Sequence, residues 1–137
     1  MRIKNLVRAS LVVSALAGAA VAVPATAAQA YTCEWKYVKT IGAGTGAAAN
    51  IYAKDCSTGH YVKGTIYDNK ADGRNAVVTI GYSHSWGTWD GKGDTATYSY
   101  KASTSTKEIK VVVKACKYEA AWGPLCSTKD NRIVYFF

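Results

Sequence analysis

Apolar and polar positions alternate with a period of two in one stretch after another of this 137-residue chain. That is the repeat of a pleated strand with one face buried. From Thr32 to Thr40, Cys33, Trp35 and Tyr37 share one face while Glu34, Lys36 and Val38 share the other. The pattern predicts further strands over Asn50 to Cys56, Tyr61 to Tyr67, Asn75 to Tyr82, Thr95 to Ala102, Glu108 to Lys117 and Arg132 to Phe137. Residues sharing one face stand out in several of them: Val62, Gly64 and Ile66; Ala76, Val78, Ile80 and Tyr82; Ala96, Tyr98 and Tyr100; and, plainly inward, Ile109, Val111, Val113 and Ala115. Glycine, serine and polar segments punctuate the series, and no stretch carries a helical period.

About seven short strands without a helix predict an all-β domain, an antiparallel β-sandwich of immunoglobulin-like architecture. An open barrel is the alternative. Four cysteines allow three pairings. A hairpin centred between Gly44 and Thr45 sets Cys33 opposite Cys56, and opposed positions of an antiparallel pair lie within disulfide reach. Cys116 and Cys126 then clamp the final connection. Each bridge is expected to contribute roughly 3 kcal/mol.

Composition supports the strands. After residue 30 the only leucine is Leu125, the only proline is Pro124 and methionine is absent, whereas valine, isoleucine and threonine are plentiful. Such residues suit a pleated surface better than a helix. The first thirty residues differ: Arg2, Lys4 and Arg8 precede an apolar run from Leu11 to Val23 and a small-residue stretch ending at Ala30. This predicts a cleaved secretory signal peptide over 1–30 and one sandwich domain over 31–137. Without the three leader cations, 17 basic side chains become 14 against 9 acidic ones, and the net charge falls from +8 to +5. The apolar run is too short to span a bilayer. The expected location is therefore extracellular, where disulfides persist.

The alanine-rich leader, the stretch from Val62 to Tyr82 and the lysine-rich strand leading into Cys116 and Cys126 resemble a broad group of small, secreted, disulfide-bonded β proteins of actinobacteria. That group includes adaptors of antibacterial umbrella toxin particles, in which a small β protein links a scaffold to a lectin. The resemblance implies a binding or adaptor role, or a subunit of such a particle. This chain departs from those adaptors in entering its first strand almost directly after Ala30.

Candidate chemistry concentrates in the loop from Ser83 to Asp94. His84, Trp86, Trp89 and Asp90 form the expected binding surface, because rigid aromatics gain contact area at low entropic cost. One of the two tryptophans could instead fold back onto the core. Asp68 to Gly73 superficially matches a calcium loop, but Lys70 stands at its third position and Thr79 at its twelfth, so a turn is expected. His60 and His84 could supply acid–base chemistry with Glu34, Glu108, Glu119 or Arg74, as in a small basic ribonuclease, yet no spacing brings them together. Serine nucleophile contexts are missing. Lys107, Lys110, Lys114 and Lys117 could attract an anionic partner, or could protect an exposed sheet edge. The expectation is a non-enzymatic secreted binding module or adaptor. It needs no cofactor and no metal, and its partner is an extracellular protein or cell-wall glycan rather than nucleic acid. The alternative is an inhibitor of an extracellular hydrolase.

Overall fold

The computed structural model of the protein describes residues 32–89 and 92–137. The expected leader over 1–30 and the candidate residue Asp90 lie outside them. Every regular element among the described residues is a strand: β1 (Lys36–Ile41), β2 (Ala47–Cys56), β3 (Gly59–Asp68), β4 (Asn75–Ile80), β5 (His84–Gly87), β6 (Thr95–Ala102), β7 (Glu108–Glu119) and β8 (Gly123–Tyr135). They form two four-stranded sheets in the orders β1-β2-β3-β6 and β5-β4-β7-β8. All pairings are antiparallel. This is the expected all-β sandwich architecture with two disulfides. Its connectivity is its own: β1 to β3 form a meander joined only by β6, unlike the ABED and CFG sheets of a constant-type immunoglobulin domain.

Two elements exceed the reading from sequence. β5 falls inside the glycine- and serine-rich loop, where four residues are too few to show a period, and it exists because β4 offers it a free edge. β8 begins at Gly123 rather than Arg132, through a Gly-Pro pair that reads as a loop. Pro124 is tolerated because β8 is an edge strand, so no ladder partner on its outer side misses the absent N–H. In contrast, β7 lies between β4 and β8. Lys114, opposite Val77 of β4, therefore does not guard a sheet edge, and that explanation of it is set aside.

The register behind the first disulfide holds where it matters. Lys36 opposes Ala53 and Tyr37 opposes Tyr52, the pairing that puts Cys33 opposite Cys56, and a bulge between Tyr37 and Lys39 then shifts the ladder by one. The Cys33 N–H donates to the Asp55 carbonyl at 3.0 Å. Cys33 and Cys56 are bonded with Cα atoms 4.5 Å apart. Cys116 opposes Cys126 directly, and these two are also bonded.

The core is thin and β-branched. Ile41, Ile51, Val62, Ile66, Val78, Val111 and Val113 are fully buried, with alanines filling the narrower gaps. Its one large buried ring among these strands, Tyr98, lies over Gly64 of β3. A Cβ at Gly64 would overlap the Asn50 carbonyl oxygen and stand 2.7 Å from Tyr98 Cε1. Close approach therefore requires glycine here. The Tyr98 hydroxyl donates to the Asn50 carbonyl at 2.8 Å, while Asn50 Oδ1 accepts the Thr65 N–H at 2.5 Å. Side chains thus replace ladder bonds at this point of the β2–β3 pairing.

Candidate functional site

β5 and the residues after it divide the expected binding set. Trp86 opposes Val78 on β4 and is half-buried against the core, its ring 6.0 Å from that of Tyr98. Exposed His84 stacks near Trp86 at 6.2 Å and meets Tyr100 edge-on at 4.8 Å. This aromatic row closes the side of the sandwich where the edge strands β5 and β6 meet. Trp86 is thus the tryptophan that folds back.

Trp89 goes the other way and is 85% exposed. The preceding residue anchors it. Thr88 is buried, its N–H donates to the Ala76 carbonyl at 2.9 Å, and its hydroxyl oxygen accepts the Ala76 N–H at 3.0 Å. A fixed residue therefore launches a free ring. Trp89 shares a hollow of about 420 Å³ with Tyr118, Asn75, Gly87 and Thr88. Tyr118 belongs to the protruding end of the β7–β8 hairpin, which also exposes Trp122 and Leu125. Sequence reading missed Tyr118, whose proximity to Trp89 depends on β7 pairing with β4, and it missed the exposed Trp122 at the hairpin turn. Their signal was large aromatics close to a glycine turn and a cysteine.

The histidines do not assemble with the carboxylates proposed for acid–base work. His60 is buried and stacked on Phe136 at 4.4 Å. Its Nδ1 lies 2.8 Å from Asp55 Oδ1, and its Nε2 lies 3.0 Å from the Thr104 carbonyl oxygen. A carboxylate on one side thus faces a carbonyl on the other, where a nucleophilic catalyst would need a hydroxyl or thiol. No hydrogen bond or ion pair joins His60 or His84 to Glu34, Glu108, Glu119 or Arg74 among the described residues.

The calcium-like segment is a turn. Asp68 Oδ1 accepts the Lys70 N–H, Asp72 Oδ1 accepts the Arg74 N–H, and Gly73 takes a φ of +71°. Among the described residues no three histidine, cysteine, aspartate or glutamate side chains converge as a metal ion would require. No described helix is long and apolar enough to cross a membrane. Comparison with protein-family models, curated proteins and solved structures found no match to this chain.

Proposed function

We propose that the protein is a non-catalytic binding module that holds another extracellular protein through the aromatic end where exposed Trp89 and Tyr118 share a hollow. The carrying observation is Trp89, a largely exposed ring held by a buried, doubly hydrogen-bonded Thr88. A large ring on a fixed stem loses little freedom on binding, and such rings dominate interface energetics. The two disulfides support a location outside the reducing cytoplasm. Secretion through the 1–30 leader belongs to the same proposal.

Capture from the producing culture's medium on immobilised protein should recover one stoichiometric partner. Trp89→Ala together with Tyr118→Ala should weaken its retention about a hundredfold, because two hot-spot rings are lost. Thermal stability should stay within a few degrees of the parent, since both rings are exposed. Trp86→Ala should do the opposite, costing about 3 kcal/mol of stability through its core contacts. Unchanged retention by the double variant would overturn the assignment.

The inhibitor reading also draws on an observation. The β7–β8 hairpin is clamped by Cys116–Cys126 and exposes Trp122 at its turn, a rigid projection suited to a hydrolase cleft. A partner whose protease or amylase activity ceases in the complex identifies that variant of the same surface.

A further inference from the structure

The outward face of the β1-β2-β3-β6 sheet carries chemistry that the aromatic end does not use. Opposed residues on antiparallel strands share a face. Lys54 opposes Tyr61, and Tyr61 in turn opposes Lys101, while Tyr52 opposes Lys63. Around these residues three ammonium groups converge on two rings. Lys54 Nζ lies 4.8 Å from the Trp35 ring centroid and 4.7 Å from that of Tyr61. Lys63 Nζ lies 4.3 Å from Trp35, and Lys101 Nζ lies 5.5 Å from Tyr61. A cation over a ring is held by the ring's quadrupole, so these long side chains are partly preorganised. Among the described residues no carboxylate pairs with any of the three. The Tyr61 hydroxyl is lowered from its ordinary value, chiefly by its hydrogen bond with Thr58, with Lys101 and Lys54 acting in the same direction.

Beside the lysines is a hollow of about 560 Å³ lined by Tyr52, Lys63, Thr65, Thr97, Ser99 and Trp86. The hydroxyls of Thr65, Thr97 and Ser99, which both donate and accept, match the hydroxyls of a sugar, and the Tyr52 ring offers an apolar wall. Single-stranded nucleic acid needs open aromatic faces for its bases. Here ammonium groups already lie over Trp35 and Tyr61, which favours charge and hydroxyl matching over stacking of bases on those two rings.

We infer that this face binds an acidic polysaccharide, a sugar ring seated in the hollow and its anionic groups along Lys63, Lys54 and Lys101. Together with the aromatic end, it makes the protein a two-surface adaptor between a polymer and a protein. The site itself does not depend on the aromatic end.

Isothermal titration of the purified protein with polygalacturonate, at low salt, tests it. Binding is expected, with no response to neutral dextran and a progressive loss as salt rises. Replacing Lys54, Lys63 and Lys101 by Gln should weaken binding about tenfold or more, and replacing all three by Arg should restore most of it. Thr97→Val should also weaken it. Thermal melts of each variant report folding. Equal loss on changing Lys107, Lys110 and Lys114 to Gln would reduce the effect to net charge and overturn the site. Tighter binding of oligo-dT than of polygalacturonate would overturn the ligand class, and absence of polygalacturonate binding would overturn the proposal while leaving the aromatic end untouched.

Discussion

At the scale of single residues, Tyr98 shows how one position acquires a role its periodicity does not announce. It alternates like any inward residue of β6, yet Gly64 opposite gives its ring room and Asn50 gives its hydroxyl an acceptor. Burial pushes the Tyr98 hydroxyl up from its ordinary value of 10.0. The neutral form is the one the fold keeps. Above pH about 10 the unfolded chain releases a proton that the folded chain retains, so this contribution is whole below pH 10 and declines as pH rises beyond it. Tyr98→Phe should cost roughly 1 kcal/mol at pH 7 through the lost hydrogen bond. It should then lose less stability than the parent between pH 10 and 11, and urea melts at both values check this. A parallel decline in the two proteins would show that Tyr98 is not the group responsible.

Among the elements, the β7–β8 hairpin is the longest, and its outer end projects beyond β4, whose pairing with β7 stops at Asn75 opposite Cys116. Beyond that point β7 has a neighbour only in β8. The Cys116–Cys126 bridge sits at this limit, where the third strand gives out. Changing both cysteines to serine should cost about 2–3 kcal/mol. Amide exchange should accelerate over 117–128 while β4 and the inner half of β7 keep their protection. Uniform acceleration through both sheets would instead make the bridge a global staple. The β1–β2 pair differs: Cys33 takes a left-handed φ of 46° as the chain enters β1, and its bridge to Cys56 pins an edge strand that already has a long partner.

At the scale of the molecule, a sandwich must close two open sides. Between β5 and β6 this is done by His84, Trp86 and Tyr100. Near the other side the chain's last residues fold in: Phe136 is buried, its N–H donates to the Lys107 carbonyl at 2.8 Å, and its ring stacks on His60 of the opposite sheet. A cleft of about 390 Å³ remains between β1 and the end of β8. The sheets are tied again where Asp130 Oδ2 of β8 accepts the Gly42 N–H of the β1–β2 turn at 3.0 Å. That bond, with a second from the Asn131 N–H, holds the Asp130 carboxyl below its ordinary range. Phe136→Ala should cost about 3–4 kcal/mol, the usual loss for a buried phenylalanine. Calorimetry checks it, and a loss below 1 kcal/mol would show that the last residues only lie on the sandwich.

Most of the fold was legible in the sequence, and the site far less so. Alternation over Tyr61 to Tyr67 and Glu108 to Lys117 fixes which side chains face inward, because pleat periodicity is local and one face must escape water. Spacing about Gly44 and Thr45 likewise located the Cys33–Cys56 bridge. β5 and the first half of β8 were hidden because both are edge segments, shaped by the strand that receives them more than by their own composition. The tertiary structure alone decided that Trp86 packs inward while Trp89 stays free. It alone placed Tyr118 beside Trp89, and Lys54, Lys63 and Lys101 around Trp35 and Tyr61. Periodicity sorts residues onto faces, but only the pairing of strands distant in sequence sets those faces side by side.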